Sequence, residues 1–154
     1  MKKSPVSCTR RIEFDAAHRV VGHEGKCKHL HGHRYALEAT FVAKKLDTLG
    51  RVVDFGVIKE LLGGWVDKHW DHTTILFDKD KALGKGIADV TGQKIFYLPA
   101  NPTAENMAEY IMHSVCLELF ADLPIECVRI RLYETPNCWA EVAIPALVAG
   151  SGSL

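Results

Sequence analysis

Apolar and polar residues alternate along 11–18, the period-two pattern of a strand. A second strand is predicted over 33–44, where Tyr35, Leu37, Ala39 and Phe41 share one face. Gly50 marks a turn, and 51–53 reads as a short strand. Asp54 can then cap a helix. Ile58, Leu61, Leu62, Trp65 and Val66 recur at helical spacing, a stripe that continues through Gly63-Gly64 although each glycine costs about 1 kcal/mol relative to alanine. Residues 78–93 are polar and contain glycines, which reads as a long loop or a short ordered insertion with no assigned role. Residues 94–98 form a strand candidate. Pro102-Thr103 opens a second helix with Met107, Ile111, Val115 and Leu119 as its core stripe, and Pro124 lies beyond its end. Two further strands are predicted over 126–133 and 139–144.

Hairpins at both ends thus flank two helices. The predicted class is α+β, a four-stranded antiparallel sheet with two helices on one face. Its open edges invite closure by oligomerisation.

The 154 residues suit one domain, 1–154, with 148–154 expected as a flexible tail. Nineteen basic residues balance nineteen acidic ones, so there is no basic excess of the kind nucleic-acid binders carry. No apolar run approaches the roughly 20 residues of a membrane span, and 1–11 lacks the apolar stretch of a secretory signal. The five cysteines are odd in number and form no CxxC pair, as expected of reduced thiols in a cytoplasmic protein.

Five of the eight histidines fall between residues 18 and 33. In His31-Gly32-His33 the two imidazoles project from one face of a strand, about 6.6–7 Å apart along the chain. His18, at the end of the preceding strand, is placed to join them. Three histidines on one ion are the pattern of a catalytic Zn2+ site. Cys27 lies four positions before His31. It is either a fourth ligand, which would make the site structural, or a thiolate base favoured by Lys26 and Lys28. Asp71-His72 is either a solvated pair or a proton relay in which the aspartate orients the imidazole. Glu134 is a solvated strand-end carboxylate, or it accepts two N–H bonds from a flat heterocycle. Glu105 suits the first turn of a helix.

Six motifs occur in order: Phe14-Asp15-Ala16-Ala17-His18, Cys27-x-x-x-His31-Gly32-His33, Val53-Asp54-Phe55, Asp71-His72, Pro102-Thr103-Ala104-Glu105-Asn106 and Tyr133-Glu134-Thr135. Over about residues 10–145 the set resembles the 6-pyruvoyltetrahydropterin synthase family. The Cys27–His31 spacing resembles its bacterial 6-carboxy-5,6,7,8-tetrahydropterin synthase branch. The resemblance implies a tunnelling fold whose subunits close through their sheet edges into a barrel, as a homohexamer built from two trimers. It implies that His18, His31 and His33 hold Zn2+ and that Cys27 is the catalytic thiolate. Asp71 and His72 would complete the relay, with a neighbouring subunit as their source. Glu134 would anchor the pterin, supported by Glu105 and Thr103. The implied substrate is 7,8-dihydroneopterin triphosphate, with no redox cofactor. Two alternatives remain: a 6-pyruvoyltetrahydropterin synthase, and a non-catalytic zinc-stabilised oligomer with Cys27 as fourth ligand.

Overall fold

The structure, a computed structural model, describes residues 5–146. The expected tail at 148–154 lies outside the described residues. Strand β1 (Ser7–His18) pairs antiparallel with β2 (His31–Ala43) along its whole length, from Ser7 opposite Val42 to His18 opposite His31. Strand β5 (Ile125–Thr135) pairs antiparallel with β2, and β6 (Cys138–Ala143) with β5. On the other side of β1 lie β3 (Thr73–Phe77) and then β4 (Ile95–Leu98), both parallel. The sheet order is β4-β3-β1-β2-β5-β6.

The sheet therefore has six strands and is mixed, where a four-stranded antiparallel sheet is expected from the sequence. The strand missing from that expectation is β3. Thr73, Thr74, Ile75 and Leu76 are all buried, because both faces of the sheet are covered there. A strand buried on both faces shows no alternation to read. The expected strand at 51–53 does not form. The Asp47 carboxylate accepts the main-chain N–H groups of Leu49 and Arg51, each at 2.9 Å, so local turn bonds replace a ladder.

Helix α1 runs over 55–69 and helix α3 over 104–119; each contains a central π-helical segment, Lys59–Gly63 and Ile111–Cys116. Asp54 caps α1 by accepting the Gly56 N–H at 2.7 Å, and Thr103 caps α3 from the Asn106 N–H at 3.2 Å. The apolar faces of both helices meet one face of the sheet. Ile58, Leu62 and Val66 of α1 and Met107, Ile111 and Val115 of α3 share a core with Phe14, Tyr35, Leu37 and Phe41.

Residues 78–93 are not a loop. They contain helix α2 (Lys81–Thr91), the crossover between parallel strands β3 and β4. Gly84 lets α2 lie close on β4: a Cβ there would collide with the Tyr97 hydroxyl and sit 3.2 Å from Ile95 Cγ2. Ile95 and Tyr97 point opposite to Phe96, which packs on the main core, so α2 covers the other face of the sheet. Arg19 fixes its start, donating to both Asp80 oxygens at 2.5 and 2.6 Å. Among the described residues no helix is long and apolar enough to cross a membrane.

Candidate metal centre

The pleat of β1 and β2 delivers His18, His31 and His33 to the helix-covered face, at the end of the core that Phe14, Ala16 and Tyr35 begin. His18 sits directly opposite His31, and His33 opposite Ala16. Gly32, between the two β2 histidines, lies against the β1 backbone: a Cβ there would be 3.1 Å from the Ala16 oxygen. His18 is fully buried, whereas His31 and His33 are half-buried. Glu134 reaches the same place from β5. The donor atoms of these four residues all lie within 4.8 Å of one another.

Two carbonyls fix the tautomers. His18 Nδ1 is 2.7 Å from the Pro102 oxygen, and His31 Nδ1 is 2.7 Å from the His29 oxygen. A carbonyl accepts only, so each Nδ1 carries the proton and each Nε2 presents a lone pair. Those two Nε2 atoms face each other at 3.2 Å. Opposed lone pairs at that distance repel unless a cation lies between them, so the donor set fits a metal ion. An imidazole whose second nitrogen donates to a carbonyl is the usual support of a metal ligand. Burial, partly offset by Glu134, pushes the His33 pKa down and keeps that ring neutral, as a ligand must be.

The Cys27 thiol is free and is not a member of this group of donors. It stands in a 3-10 turn (Lys26–Lys28), whose Cys27 carbonyl accepts the Val20 N–H at 2.9 Å. This bond ties Val20 to Cys27 across the 19–30 loop. The Tyr35 hydroxyl is fully buried without a hydrogen-bond partner. Burial first, then the nearby Glu134 and Cys27 charges, push its pKa well up. Tyr35 therefore stays a neutral phenol.

The Pro102–Asn106 motif works mainly through its backbone. Pro102 turns its carbonyl to His18, and Asn101 holds the main chain of Val21 through bonds of 2.8 and 2.9 Å. The Thr103 hydroxyl is engaged as the α3 cap, and Glu105 is exposed in the first turn. Neither belongs to the histidine cluster.

Asp71 and His72 form a separate group. The Asp71 carboxylate accepts the Asp15 N–H at 2.9 Å and lies 2.8 Å from His72 Nδ1. Asp15 in turn takes Arg34 at 2.7 Å. Burial alone would raise the Asp71 pKa, but the Asp15 N–H and His72 outweigh it and lower it. The hydrogen bond that His72 donates to Asp71, then the charge of Asp71, raises the pKa of exposed His72. His72 adopts a left-handed backbone, φ 52°. Asp15 and His18 are three positions apart on one strand, so they face opposite sides of the sheet. The structure thus brings the three histidines and Glu134 together and sets the Asp15, Asp71 and His72 group on the other face of the same chain.

Sequence reasoning finds the three histidines and Glu134. It misses the carbonyls of Pro102 and His29, because main-chain groups leave no mark in residue type, and it misses Asp15 as the partner of Asp71.

The fold and the site together define a class: an α+β protein with a mixed sheet and a metal-capable histidine cluster between sheet and helices. The family model for 6-pyruvoyl tetrahydropterin synthase matches residues 7–144. A 6-carboxy-5,6,7,8-tetrahydropterin synthase of Rickettsia bellii is 53% identical over 137 residues, 89% of this chain and 99% of that protein. Among solved structures, an uncharacterized protein from Wolinella succinogenes superposes with a TM-score of 0.78 at 19% identity, over 92% of this chain and 99% of that one. The 6-pyruvoyl tetrahydropterin synthase of Caenorhabditis elegans gives a TM-score of 0.68 at 19% identity, over 94% and 99%. The chain belongs to the 6-pyruvoyl tetrahydropterin synthase family.

Proposed function

We propose that this chain is a zinc-dependent carbon-carbon lyase, a 6-carboxy-5,6,7,8-tetrahydropterin synthase. It converts 7,8-dihydroneopterin triphosphate, with one water consumed, to 6-carboxy-5,6,7,8-tetrahydropterin, acetaldehyde and triphosphate, in the cytoplasm, for 7-deazaguanine and queuosine synthesis. The observation that carries the reading is the convergence of His18 and His31 Nε2 at 3.2 Å with both tautomers fixed by carbonyls. The high identity to relatives of the 6-carboxy branch favours that product over 6-pyruvoyltetrahydropterin.

His18, His31 and His33 would hold zinc. Bound there, it supplies Lewis acidity toward the hydroxylated side chain of the substrate. Cys27, outside the donor set of the cluster, takes a side-chain proton. Tyr35 offers a buried neutral hydroxyl beside it. Glu134 accepts N–H bonds from the pterin ring, with Thr103 and Glu105 in support. His72 returns a proton, held by Asp71 in the charged form.

The relay must come from another chain, since Asp71 and His72 lie on the far face of the sheet from the histidines. This supports a homo-oligomer, with hexamer as the expected state. Strands β4 and β6 leave both sheet edges available for such contacts, and Trp139 on β6 is half exposed.

The test uses two variants, Cys27→Ala and His72→Ala. Each is expected to retain one zinc per chain and to lose turnover by at least about 100-fold, the scale of a general acid or base. Mixing the two under conditions that exchange subunits is expected to restore part of the activity. Loss of zinc with the fold in Cys27→Ala would instead favour a structural zinc site.

A further inference from the structure

We propose that Cys116 and Cys127 form an oxidisable dithiol, a modification site at which a small hydroperoxide joins them in a disulfide. The site stands apart from the metal centre and does not rest on the function proposed above.

Both thiols are free and buried, Cys116 at the end of the π-helical segment of α3 and Cys127 on β5. A hydrogen bond joins them. The Cys127 thiol donates to the Arg129 oxygen at 3.8 Å, so the proton between the sulfurs is that of Cys116.

The backbone of β5 accounts for the meeting. Leu132 and Ile130 belong to the core under the helices, and strict alternation would put Val128 there next. The register shifts between Thr40 opposite Arg129 and Phe41 opposite Cys127, which makes one residue of β5 extra. The bulge turns Cys127 to the core in place of Val128. Phe41 lies eight residues beyond His33 on β2, roughly 26 Å along the strand, so the pair sits at the far end of the core from the histidines.

A cavity of about 170 Å3 adjoins both cysteines, walled also by Met112, Phe120, Ile125 and Ile144. It reaches the surface past His113 and Leu117, both exposed. A cysteine serving as a small apolar filler would be packed on all sides. Here a cavity adjoins a touching pair, with room for a small reagent to enter and for the two side chains to turn together.

The surroundings also choose the chemistry. The hydrogen bond to Cys127, then burial, push the Cys116 pKa well up. A soft metal ion would need thiolates against this apolar wall, whereas a disulfide carries no charge. The reaction consumes one hydroperoxide. One sulfur, as its scarce thiolate, breaks the O–O bond and becomes a sulfenic acid, while the other oxygen leaves as water or an alcohol. The second thiol attacks that sulfur, the S–S bond forms, and the hydroxyl leaves as water. The pair gives up two hydrogens with their electrons, and the peroxide accepts them.

The test uses the full chain, loaded with zinc, folded and fully reduced, then treated with excess hydrogen peroxide. Remaining thiols are alkylated, and the chain is digested without reductant and read by mass spectrometry. The expected product is a cross-link between the Cys116 and Cys127 peptides. Its yield is expected not to depend on protein concentration, as for a bond within one chain, and dithiothreitol is expected to restore both thiols. Cys116→Ala and Cys127→Ala are each expected to lose the cross-link and to accumulate sulfenic acid, trapped by dimedone, on the cysteine that remains. Circular dichroism checks that both variants fold; if either does not, the unaltered chain decides alone. Higher oxidation of the two sulfurs without a cross-link would overturn the proposal. So would a pair that stays reduced while exposed Cys138 is oxidised, or a cross-link that forms only in urea.

Discussion

His18 and His31 owe their role less to being histidines than to the oxygens of Pro102 and His29, which settle which ring nitrogen holds the proton. The same logic, with a carboxylate as acceptor, governs His72. Its pKa is raised by Asp71, whose own pKa is lowered, so the pair is fully charged between the two folded values. A raised histidine pKa stabilises the fold below the unfolded value of 6.5 and ceases to do so as pH rises through the folded pKa. For Asp71 the contribution is present above the unfolded value of 3.8 and is lost as pH falls through the folded pKa. Asp71→Asn removes the anion, so the His72 titration followed by NMR is expected to move down toward 6.5. An unchanged midpoint would show that Asp71 does not set it. At this scale residue types were legible in the sequence and roles only partly so. The i, i+2 histidines announce a shared ion, whereas Asp15 and the two carbonyls emerge only when strands bring distant main-chain atoms together.

Elements were legible where one face is buried and one is wet. Strands β1, β2, β5 and β6 and helices α1 and α3 follow from that alternation, with ends shifted by a few residues. Strand β4 was legible too, as the candidate at 94–98, but β3 and α2 before it were not, for opposite reasons. Strand β3 is covered on both faces and shows no period, and α2 is short, glycine-containing and polar enough to pass for a loop. Its position depends on a long-range pair, Arg19 with Asp80, whose carboxylate is only 8% exposed. Removing Arg19 would leave that charge without its bidentate partner. The arginine is about a third exposed, so the cost is discounted from that of a fully buried pair. Arg19→Ala is expected to lower stability to urea by about 1–3 kcal/mol, with amide exchange rising first in 81–91. Unchanged unfolding and exchange would mean that α2 is held by packing alone.

For the whole molecule, the decisive fact is which side of the sheet each group occupies. The metal-capable cluster lies between sheet and helices, and the Asp71-His72 pair lies on the opposite face. One chain therefore holds both halves of the proposed chemistry without joining them, and subunit assembly becomes part of the catalytic argument. The sequence pattern could suggest assembly only through sheet edges, because alternation says which residues share a face but not where two chains meet. The central claim is the reaction itself, and product identification by mass spectrometry tests it most directly. Zinc-loaded protein is incubated with 7,8-dihydroneopterin triphosphate. The expected result is 6-carboxy-5,6,7,8-tetrahydropterin with acetaldehyde in equal amount. Release of triphosphate with 6-pyruvoyltetrahydropterin and no acetaldehyde, or no turnover at all, would contradict it.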